Sequence, residues 1–191
     1  MAFGASVRFD TATPTAVNVR VMGMSAGETM KPEIMPGKQN VATIAGVSLV
    51  PLGAHVDDRG YLIEILRSVD PHFTKFGQVY LVGGFARGTI RGFHKHETFW
   101  DWFFFSHGSA KVILVDDRPD SPTRRQMNVL VASSRNPILI AVPPGVYHGW
   151  MSLEEDTQLI SVASEVYNRE QPDEVRISPD SFGDVWSVRG R

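Results

Sequence analysis

From Val47 onward, short runs of β-type residues alternate with turn residues. The runs are Val47–Val50, Tyr61–Leu66, Gln78–Val82, Trp102–Phe105, Ala110–Val115, Met127–Val131, Ile138–Val142 and Gln158–Ala163. Gly, Pro, Asp, Asn and Ser fill the gaps between them. Regularly spaced short strands with this punctuation predict two packed sheets, a sandwich or a barrel. Long helical periodicity is absent, and one short helix near Pro71–Lys75 is the most the pattern predicts. Residues 1–45 differ: Ala, Thr, Pro, Gly and Met are scattered there with little periodicity. They read as an extended or partly disordered arm, with a strand at Val17–Met22 and residues 46–191 forming the domain. Such an arm could pack on a partner subunit or be a loose terminus.

The run Phe99–Phe105 sets six aromatics around one carboxylate, Asp101. A surface strand cannot carry that load, so both of its faces must be covered, inside a barrel or at an interface. A buried carboxylate without partners is costly. Asp101 therefore either has a functional reason to be inside or is left in water by the turn before the strand.

Composition narrows the classes. Of 191 residues 42% are apolar and 21% charged, with a formal net charge of -2. The core can be substantial, and no basic excess points to nucleic acid or a membrane surface. No cysteine is present, which excludes disulfides and thiolate chemistry and suits the cytoplasm. No apolar run of about 18 residues predicts a spanning helix. The N-terminus lacks a basic-then-apolar pattern, so no signal peptide is expected.

His94 and His96 are two apart, which in a strand puts both on one face. They sit in the series Gly88, five residues, His94-x-His96, four residues, Asp101, six residues, Gly108. About fifty residues on comes Pro143-Pro144-Gly145-Val146-Tyr147-His148. The two runs resemble the two signatures of the cupin superfamily, with Asp101 where Glu is usual and Ser152 where Asn is usual. The resemblance implies an all-β jelly-roll barrel of two packed antiparallel sheets with little helix. Three imidazoles and a carboxylate, His94, His96, His148 and Asp101, suit one divalent transition metal, although a metal-free site fits the same signatures. His55, His72 and His107 read as ordinary core or surface residues.

A narrower resemblance rests on motifs that occur in order. They are Asp58-Arg59-Gly60-Tyr61, Phe76-Gly77-Gln78, Arg91-Gly92-Phe93-His94, Val115-Asp116-Asp117-Arg118, Ser121-Pro122-Thr123, Pro144–Gly149, and Tyr167 before Pro172-Asp173-Glu174. Over about residues 47–186 the chain resembles the dTDP-4-dehydrorhamnose 3,5-epimerases. That resemblance implies a cofactor-independent epimerase of a 4-keto-6-deoxy nucleotide sugar and a homodimer. It implies His94 as the base that takes a proton beside the ketone, and His148 as a second active-site histidine. Arg59 and Arg91 would hold the diphosphate and Gln78 would touch substrate, while a tyrosine returns the proton.

Several positions depart from the family. His96 stands where Gln is usual, and Asp101 stands at or near a nucleotide-binding lysine. Ser161 stands where the acid tyrosine falls, and the family's base-orienting carboxylate lies in a tail beyond the match. Asp101 could replace that carboxylate and orient His94, with Tyr147 or Tyr167 as the acid. The alternatives are a metal-dependent cupin, dioxygenase or isomerase, and a non-catalytic sugar-nucleotide binder.

Overall fold

The computed structural model describes residues 33–34 and 40–188. The described residues form thirteen strands: β1 (Glu33–Ile34), β2 (Ser48–Pro51), β3 (Ala54–Asp57), β4 (Gly60–Ile63), β5 (Gln78–Gly84), β6 (Ile90–Lys95), β7 (Asp101–His107), β8 (Ser109–Asp116), β9 (Gln126–Ser133), β10 (Ile138–Val142), β11 (Val146–Ser152), β12 (Thr157–Ala163) and β13 (Val175–Arg176). Two sheets pack face to face. One runs β1-β9-β8-β11-β6-β13 and the other β2-β10-β7-β12-β5, while β3 and β4 form a separate hairpin. All pairings are antiparallel except β1 on β9. The expected all-β jelly roll is what the chain forms.

The aromatic run follows the strand period of two. Phe103 and Phe105 point between the sheets, into a core with Ile44, Val112, Leu114, Leu130 and Ile140. Trp102 and Phe104 point to the outer face, where Val50, Ile65, Leu66 and Phe73 cover them. Both faces of β7 are thus buried, as its composition required. The outer face of the other sheet is closed by Phe182, Val185 and Trp186, which pack on Phe93, Ile113 and Tyr147.

Three expectations change. The helix near Pro71–Lys75 is instead a turn segment: Phe73 N donates to Asp70 O at 3.0 Å, and Trp102 Nε1 donates to the His72 carbonyl at 3.0 Å. A run of five residues is too short to repay helix nucleation, and covering Trp102 fixes its path. The residues just before 46 are packed rather than extended: Ile44 is a core residue, and its amide donates to Asn128 Oδ1 at 3.3 Å. Strands β6 and β11, which carry His94 and His148, were not in the apolar pattern because glycines and polar site residues interrupt it. The strand at Val17–Met22 lies outside the described residues.

Candidate active site

The histidines come together through strand register. His148 on β11 pairs with His94 on β6, and Arg176 on β13 pairs with His94 from the other side. Next to the histidines the pairing shifts between His148 and Trp150. Two glycines meet there: a Cβ on Gly92 would lie 2.8 Å from the Gly149 Cα, and one on Gly149 would lie 3.0 Å from the Gly92 Cα. Only bare backbones come that close, and the two strands converge beneath the imidazoles. Gly145, at φ +77° and with Arg118 packed where a side chain would be, turns the chain into β11.

The ring centres of His94 and His148 are 4.1 Å apart, with that of His96 5.2 Å from His94 and 5.8 Å from His148. One nitrogen of each lies within 4.8 Å of the others. His148 Nδ1 is 3.1 Å from the Val146 carbonyl. A carbonyl only accepts, so Nδ1 carries the proton and Nε2 keeps its lone pair. His96 Nδ1 is tied in the same way to the Asp173 carbonyl. The Asp173 carboxylate in turn accepts from Thr98 N at 2.9 Å and Thr98 Oγ1 at 2.8 Å. His94 Nε2 and His148 Nε2 are 2.9 Å apart. With the His148 lone pair fixed there, the proton between them belongs to His94.

Asp101 begins β7 on the facing sheet. Its Oδ2 is 3.6 Å from His96 Nε2 and 3.8 Å from His148 Nε2, and its Oδ1 is buried without a hydrogen-bond partner. The carboxylate therefore approaches His96 and His148 rather than His94, which corrects the expectation that it orients His94. Burial pushes its carboxyl up to about 6, against the pull of His96. Burial likewise lowers His94 to about 3, helped by His96 and Arg176, and holds His148 well below the usual imidazole range. At neutral pH both imidazoles are therefore uncharged, and the lone pair left free in the pair is that of His94 Nδ1.

These groups face a cavity of about 710 Å³ between the sheets, with Gln78, Tyr80, Arg91, Phe99, Ser161 and Tyr167 among its walls. Arg91 lies there as expected, its guanidinium donating to the Gly83 carbonyl at 3.0 and 2.8 Å. Gln78 lies there too, its Oε1 accepting from Tyr167 N at 3.1 Å. Arg59 does not: it sits on the exposed β3–β4 hairpin, paired with Asp57. Tyr147 does not either. It alternates with His148 along β11 and so points to the outer face, against Phe182, with Lys95 Nζ 5.3 Å from its ring centre. Three polar or charged wall residues carry no site role in the sequence reading: Tyr80, Arg176 and Glu174, the last named there only within its motif. Tyr80 was within reach, since it is two residues beyond Gln78 and must share its strand face. Arg176 follows the Pro172-Asp173-Glu174 motif by two residues, and only the β13–β6 pairing brings it to His94.

The sequence profile of the family described as dTDP-4-dehydrorhamnose 3,5-epimerase matches residues 41–189. Among curated proteins, the chain is 37% identical over 151 residues to the spore coat polysaccharide biosynthesis protein SpsL of Bacillus subtilis, covering 78% of this chain and 99% of the relative. It is 32% identical over 145 residues to the probable low-salt glycan biosynthesis epimerase Agl13 of Haloferax volcanii, covering 72% and 89%. Among solved structures, the dTDP-4-dehydrorhamnose 3,5-epimerase of Bacillus anthracis, with TDP and PPi bound, superimposes with a TM-score of 0.71 at 23% identity over 80% of this chain and 91% of that one. The dTDP-6-deoxy-D-glucose-3,5-epimerase of Legionella pneumophila, in complex with dTDP-4-keto-L-rhamnose, gives 0.68 at 21% identity, covering 78% and 82%. At these identities the two structures speak for the fold, whereas the profile and the curated relatives speak for descent. By them the chain belongs to the dTDP-4-dehydrorhamnose 3,5-epimerase family and is a sugar-nucleotide epimerase, an isomerase.

Proposed function

We propose that the protein epimerises a 4-keto-6-deoxy sugar carried on a nucleoside diphosphate, by removing a proton from a carbon next to the ketone. The observation that carries this is the neutral His94–His148 pair at one wall of a cavity large enough for a sugar nucleotide. The ketone acidifies the neighbouring C–H, and His94 takes the proton as general base. The electron pair moves onto the ketone oxygen as an enolate. His94 Nε2 already donates its proton to His148, so the substrate's proton goes to His94 Nδ1, and the Nε2 proton is the one the two rings share, which spreads the positive charge. The Asp101 carboxylate beside His148 offsets it, in place of a carboxylate directly on the base. Arg91 and Arg176 supply guanidinium groups for the diphosphate.

Incubation with dTDP-4-keto-6-deoxyglucose in deuterium oxide tests this. Deuterium at C3 or C5 is expected, and its complete absence with any 4-keto nucleotide sugar would sink the reading.

The active unit is a homodimer in the cytoplasm. The β3–β4 hairpin carries Val56, Tyr61 and Leu62 in the open, and β5 is an edge strand that exposes Val79 and Leu81. An isolated hairpin is marginal alone, and a second copy of this chain is the cover that fits a homodimer. Arg59 rides on that hairpin, so it would serve a substrate only through the assembly. The cysteine-free sequence suits a reducing compartment.

A second reading is favoured by the ligand set itself. His96 and His148 both donate Nδ1–H to backbone carbonyls, which leaves Nε2 free, as metal-bound imidazoles do. Two nitrogens about 2.1 Å from one ion lie about 3 Å apart at a right angle, close to the His94–His148 spacing. His94, His96, His148 and Asp101 would hold a divalent transition metal, which would act as a Lewis acid on the ketone oxygen. Elemental analysis of the purified protein decides it: about one equivalent of metal per chain supports the reading, and a metal-free protein that turns over normally ends it.

A further inference from the structure

We propose that Tyr80 is the proton donor of the reaction, standing in from the neighbouring strand for the tyrosine that Ser161 replaces. The inference rests on the epimerase reading above and names the group that reading lacks.

Inversion needs two groups on opposite faces of the sugar ring, one to take the proton and one to return it. The base stands on β6, in one sheet. The donor must therefore come from the other sheet, across the cavity. The cavity-facing residues there are Gln78, Tyr80 and Val82 on β5, Leu159 and Ser161 on β12, and Phe103 on β7, with Asp101 two positions before Phe103 on the same face. Tyr80 alone among these seven can donate a proton from the side opposite the base: Ser161 is short, Gln78 is no acid, Asp101 lies against His96 and His148 beside the base, and the others are apolar.

Register places it in the right row. Tyr80 pairs with Ser161, and Ser161 pairs with Phe103. Ser161 is 1% exposed, and its hydroxyl lacks a hydrogen-bond partner. A buried, unpaired hydroxyl facing a cavity is costly unless the cavity's occupant satisfies it. The Ser161 hydroxyl is nevertheless close enough to the Tyr80 phenol to draw its pKa down somewhat. Burial, the larger effect, raises that pKa, and the charge of Asp101 adds to the rise. A phenol held protonated this way is an acid that keeps its proton until a strong base, such as an enolate carbon, appears.

Of the other three tyrosines, Tyr61 lies exposed on the β3–β4 hairpin, and the remaining two fit less well. Tyr147 faces away from the cavity, against Phe182. Tyr167 lies beyond the end of β12 with its amide tied to Gln78, at the margin of the sheet rather than in the row facing His94.

The step balances without any further reactant. His94 takes the proton from the carbon beside the ketone, and the enolate forms. The Tyr80 O–H bond breaks, and its proton joins that carbon from the opposite face as the electron pair returns from oxygen. The tyrosinate then regains a proton from water, and the His94–His148 pair releases one.

The test separates the two half-reactions in deuterium oxide. With dTDP-4-keto-6-deoxyglucose, Tyr80→Phe is expected to exchange the C–H proton within tenfold of the wild-type rate, while epimer formation falls by about 100-fold or more, the usual worth of a general acid. His94→Asn is expected to lose both exchange and inversion. Inversion by Tyr80→Phe at the wild-type rate overturns the proposal, as does loss of exchange together with inversion. A wild-type protein that exchanges nothing overturns the epimerase reading instead, and the Tyr80 role with it. Fluorotyrosines of graded phenol acidity at position 80 give a second measurement in a side chain of unchanged shape. Inversion rates that follow phenol acidity support the proposal, and rates indifferent to it overturn it.

Discussion

His94 and His148 sit directly across from each other in the β6–β11 pair, with their Nε2 atoms 2.9 Å apart. Neither is charged at neutral pH. The contact is a neutral imidazole donating to a neutral imidazole, built by burial and by the His148–Val146 hydrogen bond.

Acid lability should follow from this pair. In the unfolded chain each imidazole titrates near roughly 6.5, whereas in the fold His94 stays neutral down to about 3 and His148 is depressed too. The unfolded state then binds more protons, so stability falls as pH drops below about 6.5, by up to ~1.4 kcal/mol per pH unit for each imidazole. Asp101 has the opposite sign: its folded value is about 6, so in the window from there down to roughly 3.9 the native state binds the extra proton and gains stability. It should cancel one histidine's worth over that window. Urea midpoints measured from pH 7 to 4 test this, and His148→Asn should flatten the slope. An unchanged slope in that variant would show the assignment to be wrong.

Asp101→Asn should uncouple activity from stability. The carboxylate is buried with one oxygen unpaired, so removing its charge should raise stability at pH 8 by about 1–2 kcal/mol. Turnover should fall at least tenfold, since nothing then offsets the charge on the His94–His148 pair. Urea unfolding and the deuterium assay read the two effects separately, and a variant with full turnover would deny Asp101 a chemical role.

Tyr147→Phe should leave turnover within about twofold of wild type, because its ring belongs to the outer core cluster. A loss comparable to that expected of Tyr80→Phe would contradict the geometry.

Asp116 should prove structural. It is fully buried and accepts from Arg118 Nε at 2.8 Å and Thr123 Oγ1 at 2.7 Å; burial pushes its carboxyl up, but the bonds from Arg118, Ser121 and Thr123 outweigh that and hold it down at about 2. Arg118 Nη2 also reaches the Ala45 carbonyl at 2.7 Å, tying residues before the barrel to its rim. Asp116→Ala should cost about 3–5 kcal/mol in urea unfolding, the range for breaking a buried pair. Activity per folded molecule should be unchanged.

Light scattering at micromolar concentration should give twice the chain mass. Leu62→Asp combined with Leu81→Asp should give one chain mass, because both residues lie in the exposed apolar surface of the hairpin and of β5. A wild-type monomer would remove the dimer.

The class of fold and the members of the histidine cluster are legible from the order of residues alone. The period of two in Trp102–Phe105 required covered faces on both sides of β7, and that is a property of local geometry alone. The spacing of His94 and His96 fixed their shared face, and the Pro-Pro-Gly turn placed His148 at the start of another strand. Tertiary structure decided everything that depends on which strands become neighbours. Sequence spacing carries no register, so it could not say that Asp101 would come up beside His96 and His148 instead of His94. Nor could it say that Arg176 would join the site through β13 while Arg59 stayed on a hairpin outside it. The same holds for Tyr80 and Ser161, 81 positions apart and joined only by the β5–β12 pairing. The chain order names the chemical groups, but the two packed sheets set the distances between them, and proton transfer depends on those distances.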